Sequence, residues 1–170
     1  MSLTDREFWT VVHGLILGTL FLLAFGGGMA GLWSLRPSLV TATGMAERIR
    51  RLKAGTWLMA ITAWLTVITG TWIVYPWYRD AAATSPRSTL LADENTALWH
   101  TYGMEWKEHV AWISPLMATV VAFIVMWYGP RLARENTMRK LALALFVGAF
   151  LTAAIAGVFG AFINKTAPIQ

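Results

Sequence analysis

The sequence contains no cysteine, and only 14% of its 170 residues are charged. The lack of cysteine excludes disulfide bonds, thiolate metal sites and the Cys-x-x-Cys-His attachment of a c-type haem. Soluble domains carry about 25% charged residues, whereas 56% of this chain is hydrophobic. The composition therefore predicts an integral membrane protein.

Several functional signatures are also missing from the sequence. It has no phosphate-binding loop, no His-Glu-x-x-His motif, no serine nucleophile pattern and no repeat of solenoid period. The centres of its apolar stretches lack acidic and basic residues, which ion pumps and proton-coupled carriers keep in the membrane as relays. We therefore expect no transporter, and the longest connection, Tyr78–Glu105, is too short for a catalytic domain.

Four apolar stretches are each long enough to cross the hydrocarbon core of a bilayer, which is about 30 Å thick. They run Phe8–Trp33, Gly55–Tyr78, Lys107–Tyr128 and Leu141–Ile163. We predict an all-α fold: an integral membrane four-helix bundle of up-down-up-down order, forming a single transmembrane domain over residues 1–170. The outer loop 79–106 is expected to carry a surface helix at about 94–106, begun by a capping side chain.

Basic residues are concentrated in two of the connections. The segment 34–56 holds five bases and one acid, and the segment 129–140 holds four bases and one acid. By the positive-inside rule these loops face the cytoplasm, which puts both the N-terminus and the C-terminus outside a bacterial-type inner membrane. The net charge of +5 is then explained by topology and contact with the lipid bilayer, and no nucleic-acid partner is expected.

Two of the three histidines lie at matched depths inside apolar stretches. His13 follows Trp9 by four residues and His109 follows Trp106 by three, so both lie roughly 5 Å below an aromatic belt at the outer surface. The first and third helices of an up-down bundle are diagonal partners, so the two rings can face each other. Because neutral imidazole ligates iron, the pair predicts one bis-histidine haem b; the alternative is that each ring hydrogen-bonds to a carbonyl or to water.

Small and basic residues accompany the two histidines. Gly70, Gly157 and Gly160 reach the same level and would leave room for a porphyrin, although small residues also serve ordinary helix packing in membranes. Lys107 and Arg79 lie at the same surface and could pair with the haem propionates. These five residues complete the predicted cofactor-binding set.

Three further residues are candidates for a quinone or proton site: His100, Glu105 and Glu108. The first stands nine residues before His109, on the opposite helix face and roughly 13 Å further out, so it cannot share the ligand site. The two acids flank the ligand and could take protons from a quinol, or could simply face water at a helix start. Met104 is the rival axial ligand, but it precedes Trp106 and is expected above the aromatic belt.

In layout, the four spans with the pair His13 and His109 resemble the four-helix membrane b-type cytochromes that serve as anchor or quinone-reactive subunits of respiratory complexes. The resemblance covers the whole chain in architecture and includes no family motif. It implies a larger assembly, with other subunits of a membrane redox complex and a periplasmic electron carrier as partners. Members of that group with two stacked haems differ from this chain, which offers a single ligand pair.

These observations predict an electron-transfer subunit of a respiratory or photosynthetic-type complex, itself non-catalytic within a larger oxidoreductase. It would exchange electrons near the outer membrane face with a quinone or with a partner redox protein. Two alternatives stay open. One is a cofactor-free helical scaffold or anchor subunit; the other is a pigment- or haem-binding protein without quinone chemistry.

Overall fold

The protein is all-helical in a computed structural model that describes residues 3–39 and 41–168. The described part is 88% helix and contains no strand, which confirms the all-α prediction. Four helices in it are long and apolar enough to cross a membrane: Asp5–Ser34, Thr43–Tyr78, Glu94–Ala133 and Asn136–Thr166. We refer to them as the first, second, third and fourth helices.

Side-chain caps begin two of these helices. Thr4 accepts a hydrogen bond from the Glu7 amide at 3.2 Å, and the Glu7 carboxylate accepts one from the Thr4 amide at 2.8 Å. This reciprocal capping box satisfies amides that have no partner inside the helix. The hydroxyl of Thr41 accepts from the Gly44 amide at 3.2 Å at the start of the second helix.

The surface helix expected at about 94–106 is the first part of the third helix rather than a separate element. The Asp93 carboxylate accepts from the Asn95 amide at 2.9 Å and starts it, and the helical run continues from Glu94 to Ala133. A short helix, Pro86–Leu91, precedes it. The connection between the second and third helices is therefore more helical than the sequence predicts.

Each long helix packs against the next one in the chain, and the first also packs against the fourth. One cluster of buried apolar side chains joins all four, with Leu32, Met59, Val121 and Phe146 fully buried. Gly28 lets the first and fourth helices approach closely, since a Cβ there would lie only 2.5 Å from the Phe146 ring. This cluster fills one half of the bundle.

Arginine side chains stabilise the loops at this densely packed end. Arg139 donates to the carbonyl of Leu35 at 2.9 Å and to that of Ala133 at 3.1 Å. Arg48 donates to the carbonyl of Ser34 at 3.0 Å. Basic side chains thus satisfy carbonyls left without partners at helix ends, which gives part of the basic loops a structural role.

The opposite half of the bundle, which holds both histidines and which we call the histidine end, contains four π-helical turns. They are Val12–Ile16, Gly70–Val74, Trp99–Met104 and Trp106–Val110. Pro115 lacks an amide hydrogen, and the Ala111 carbonyl accepts instead from the Ser114 amide at 3.2 Å. Because π turns are rare and are frequent at functional sites, their concentration at one end directs attention to the histidines.

Candidate functional site

A cavity of about 730 Å³ lies between the four helices at the histidine end. Its volume falls within the range of about 300–1,000 Å³ that small-molecule and cofactor sites occupy. Seven of the residues singled out from the sequence line it: His13, Gly70, Lys107, Glu108, His109, Gly157 and Gly160. Arg79, His100 and Glu105 are not part of its wall.

His13 is held by a hydrogen bond from the first helix to the second. Its Nδ1 lies 3.1 Å from the hydroxyl oxygen of Thr69. Thr69 donates its own hydrogen to the carbonyl of Leu65 at 2.7 Å, so it accepts from the imidazole. A neutral ring with its hydrogen on Nδ1 carries the free lone pair on Nε2, which is the arrangement a metal-ligating histidine requires.

Gly70 provides the space that the His13 ring occupies. A Cβ at this position would lie 2.8 Å from Cε1 and 3.4 Å from both ring nitrogens. The ring therefore packs directly on the second helix where its π turn begins. The glycine predicted to make room for a porphyrin makes room for the imidazole of His13.

His109 is oriented within its own helix. Its Nδ1 lies 3.0 Å from the carbonyl oxygen of Glu105, and a carboxylate oxygen of the same residue is 3.4 Å away. Both neighbours are acceptors, so Nδ1 carries the hydrogen and Nε2 carries the lone pair. The side chain is 70% exposed, which leaves the ring free to bind a ligand.

His13 and His109 line the same cavity, and each carries its lone pair on Nε2. No group of three or more His, Cys, Asp or Glu side chains that could hold a bare metal ion occurs in residues 3–39 and 41–168. A haem iron, in contrast, takes its equatorial ligands from the porphyrin and one or two axial ligands from the protein. The donor set fits a haem rather than an isolated ion.

Lys107 brings a positive charge to the cavity wall. Its Nζ donates to the carbonyl of Ala156 at 3.4 Å and would lie 2.8 Å from a Cβ at Gly160. Within the described part of the chain no carboxylate forms an ion pair with it. Gly160 therefore accommodates the lysine, and the half-buried ammonium is left to pair with an anionic group in the cavity.

Gly157 differs from its neighbour because it faces open space. A Cβ at this position would meet nothing within 4 Å, although the residue lines the cavity. A glycine in close helix contact has another side chain against it, as at Gly148, where an added Cβ would lie 2.9 Å from the Met117 sulfur. The geometry leaves room here that a bound molecule can use.

Arg79 reaches the cavity through another side chain. Its guanidinium donates to the Tyr75 hydroxyl at 2.6 Å and lies 5.4 Å from the centroid of that ring. Tyr75 itself lines the cavity. The direct role predicted for Arg79 beside a propionate is thus not evident from its placement, and its contact positions a phenol instead.

Polar groups connect the cavity to His100. The Tyr78 hydroxyl lies 2.8 Å from Nδ1 of His100, and Tyr78 is only 2% exposed while lining the cavity. Glu108 lies on the same wall and interacts electrostatically with Tyr75 and Tyr78. One of its carboxylate oxygens is buried and, among the described residues, makes no hydrogen bond. The cavity therefore contains polar groups suited to a ligand with hydrogen-bonding atoms.

The sequence did not point to several residues of this site. Long-range hydrogen bonds reveal Thr69 and Tyr78. Ser114 is revealed by its place on the cavity wall. Met104, expected above the aromatic belt, is buried at 7% exposure and lines the cavity wall. Met104 is the last residue of the π turn Trp99–Met104, and a second π turn begins at Trp106.

No protein-family model matches the sequence, and no curated protein or solved structure matches the chain. The function therefore has to be argued from the cavity.

Proposed function

We propose that the chain is a membrane-embedded electron-transfer subunit that holds one haem b in the cavity, with His13 and His109 as axial ligands. The observation that carries this proposal is the hydrogen-bonding pattern that the two imidazoles share. Each engages Nδ1 with a hydrogen-bond acceptor, which leaves Nε2 as the donor atom on one cavity. Metal-ligating histidines typically make this outer hydrogen bond, because it fixes the ring and raises its basicity.

The remaining wall suits an amphipathic macrocycle. Gly157 faces open space and Lys107 offers an ammonium without a carboxylate partner in the described chain, which suits a flat apolar ring with anionic side chains. Haem supplies reversible one-electron chemistry when bound. The chain's own residues orient the ligand rings, neutralise the anionic groups and exclude water from the apolar wall.

The orientation in the membrane is part of the proposal. Four long apolar helices would cross the bilayer in up-down-up-down order, with large apolar side chains such as Leu15, Leu23 and Phe123, each at least 60% exposed, facing lipid. The basic loops at the densely packed end favour the cytoplasm. Both termini and the histidine end would then lie on the outer side of a bacterial-type inner membrane.

This placement defines the electron-transfer role. A single haem near one surface cannot carry electrons across the membrane, so the subunit exchanges them near the outer face with a quinone or a partner redox protein. It does so within a respiratory or photosynthetic-type complex, whose other subunits contain the remaining carriers. The chain needs no catalytic residue of its own for this task.

One specific observation supports an alternative pair of axial ligands, His13 with Met104. Met104 is buried and lies on the same cavity wall as His13, and a thioether is the other common axial ligand of haem in electron carriers. Methionine ligation would raise the reduction potential relative to two imidazoles. The two pairs therefore differ in their spectra and potentials.

A reduced-minus-oxidised absorption spectrum of the purified chain, with the haem content measured per chain, tests the proposal. One haem b per chain, reduced and reoxidised reversibly, supports it. A chain without absorbing cofactor would favour the scaffold alternative, and a non-redox pigment would favour the pigment-binding one.

A further inference from the structure

The densely packed end of the bundle, opposite the histidine end, carries more positive charge than its own carboxylates balance. The segments 34–56 and 129–140, which contain its loops, hold nine bases and two acids. Arg50 and Arg51 pair with Glu47, and two other arginines bond to loop carbonyls. Among the described residues, no carboxylate forms an ion pair with the remaining bases of these segments. This end therefore presents positive charge to an anionic partner.

Two of the remaining arginines stack on aromatic rings near helix ends. The guanidinium carbon of Arg36 lies 5.1 Å from the centroid of the Trp33 ring, at the end of the first helix. That of Arg131 lies 6.0 Å from the Tyr128 ring near the end of the third helix, and its Nη2 donates to the Trp127 carbonyl at 3.2 Å. We call these the two aromatic–arginine pairs, Trp33 with Arg36 and Tyr128 with Arg131. Both arginines are exposed, and stacking engages the face of a guanidinium while its N–H edge stays free to bind a phosphate.

Exposed apolar surface lies directly beside each pair. Trp33 and Trp127 are 58% and 78% exposed. Phe123, one turn before Trp127, is 60% exposed, and Gly26, two turns before Trp33, would have nothing within 4 Å of an added Cβ. In membrane-spanning helices tryptophan lies at the level of the lipid head groups, and the apolar side chains below it contact acyl chains. A molecule that fits here is anionic at one end and apolar along the helix.

We propose that each aromatic–arginine pair binds the phosphate of an anionic phospholipid, of the phosphatidylglycerol class, whose acyl chains lie along the exposed face of the same helix. The first helix packs on the second and fourth, as does the third, so the first and third stand diagonally and the pairs form two separate sites. The inference rests on the membrane placement included in the proposed function and does not depend on the haem.

Charge selects the anionic lipid over other occupants. A zwitterionic lipid has the same phosphate, but its ammonium group would lie among the surplus bases, whereas a lipid with net negative charge is attracted by all of them. A soluble anion would leave the exposed apolar surface beside the arginines without a partner. A planar guanidinium can hold a phosphate through two parallel hydrogen bonds, which gives each pair a preferred head-group position.

The test is a native mass spectrometric titration of the full chain in detergent with phosphatidylglycerol and, separately, with phosphatidylcholine. Arg36→Gln and Arg131→Gln each remove one guanidinium from an aromatic–arginine pair. Arg50→Gln is the matched control, because Arg50 is exposed on a loop-proximal turn of the same end and pairs with Glu47, so the same charge is removed without disturbing a pair. Arg36→Lys keeps the charge and removes the planar group.

We expect two phosphatidylglycerol molecules per chain, bound more tightly than phosphatidylcholine. Affinity at the altered site should fall about fivefold in Arg36→Gln and in Arg131→Gln, the usual contribution of one basic residue near an anionic lipid. It should fall less in Arg36→Lys and stay nearly unchanged in Arg50→Gln.

Three results would overturn the inference: equal losses in Arg36→Gln and Arg50→Gln, which indicate diffuse charge alone, equal affinity for the two lipids, or release of the lipid by inorganic phosphate at matched ionic strength. The haem spectrum of the same samples reports separately on the proposed function. A chain that lacks haem and still binds phosphatidylglycerol at these pairs would contradict the haem proposal and support this one.

Discussion

The imidazole of His13 donates its Nδ1 hydrogen to the hydroxyl of Thr69, 3.1 Å away on the next helix. This bond crosses between two long helices at the level of the cavity, and it leaves Nε2 as the free nitrogen of His13. A residue 56 positions away in the sequence thus controls the chemistry of the predicted ligand.

Replacing Thr69 tests this positioning role. Thr69→Val keeps the shape of the side chain and removes the acceptor, so we expect haem affinity to fall about tenfold or more, as for other ligand-orienting partners. The reduction potential should rise, because the ligand loses basicity. Thr69→Ser should restore both quantities, and they are measured by haem titration and by redox titration.

Thr62→Val is the matched control for Thr69. Thr62 is buried on the same helix and bonds only to carbonyls of that helix, so the loss of its hydroxyl should leave haem affinity and potential unchanged. Equal effects of the two valine variants would show that Thr69 acts through helix stability and not through His13.

Gly70→Ala should displace the ligand ring without weakening the helix. The added Cβ would lie 2.8 Å from Cε1 of His13, which forces the ring away from its present position. Alanine favours a helix over glycine by about 0.5–1 kcal/mol, so the haem-free chain should unfold at the same or a higher temperature while haem content falls.

Gly55→Ala is the corresponding control on the same helix. Its Cβ would meet only the Gly28 amide nitrogen, at 3.9 Å, an ordinary contact. Haem content measured beside thermal unfolding should separate the two variants. A Gly70→Ala chain with full haem content would show that His13 does not need this position.

Gly157→Leu tests whether bound haem occupies the open space beside the fourth helix. The haem-free chain should tolerate it, since nothing lies within 4 Å of the new Cβ. With haem present, the leucine would overfill a fitted site at a cost of about 1–3 kcal/mol, so haem occupancy should fall. Val158→Leu, on the exposed surface next to it, is the control and should bind haem normally.

Gly148 and Gly160 are less suitable for that comparison. A Cβ at Gly148 would lie 2.9 Å from the Met117 sulfur, and one at Gly160 would lie 2.8 Å from Nζ of Lys107. Leucine at either position would disturb packing or the lysine. Equal haem loss in Gly157→Leu and Val158→Leu would remove the fourth helix from the site.

Single cysteines can report the orientation, since the chain has none of its own. Ala83→Cys and Ser38→Cys place thiols at exposed positions near opposite ends of the bundle. An impermeant thiol reagent added to intact cells should label Ala83→Cys and leave Ser38→Cys unlabelled, because the basic loops are expected inside. The reverse pattern would put the cavity on the cytoplasmic side.

Sequence patterns predict part of this arrangement for clear physical reasons. The length of an apolar run is a property of the sequence alone, so the four long helices could be located before the structure was known. The distance from Trp9 to His13 along one helix follows from a fixed rise per residue. The structure brings His13 and His109 to the same cavity, which this reasoning anticipates.

Other features depend on contacts that sequence patterns do not contain. The π turns at Trp99–Met104 and Trp106–Val110 depart from the regular α-helix that sequence patterns assume. The partners of His13 and His100 lie on another helix. Ser114 is recognised by its place on the cavity wall, where its hydroxyl is buried without a partner in the described chain.

The measurement that tests the central claim most directly is the low-temperature absorption and electron paramagnetic resonance spectrum of the haem-loaded chain and of four variants. Removal of one of two axial imidazoles opens a coordination position, so His13→Ala and His109→Ala should each abolish the low-spin b-type signal. His100→Ala and Met104→Leu should leave it unchanged. A low-spin spectrum that survives in both His13→Ala and His109→Ala would contradict bis-histidine ligation, and loss of the signal in Met104→Leu with its survival in His109→Ala would assign the second ligand to Met104.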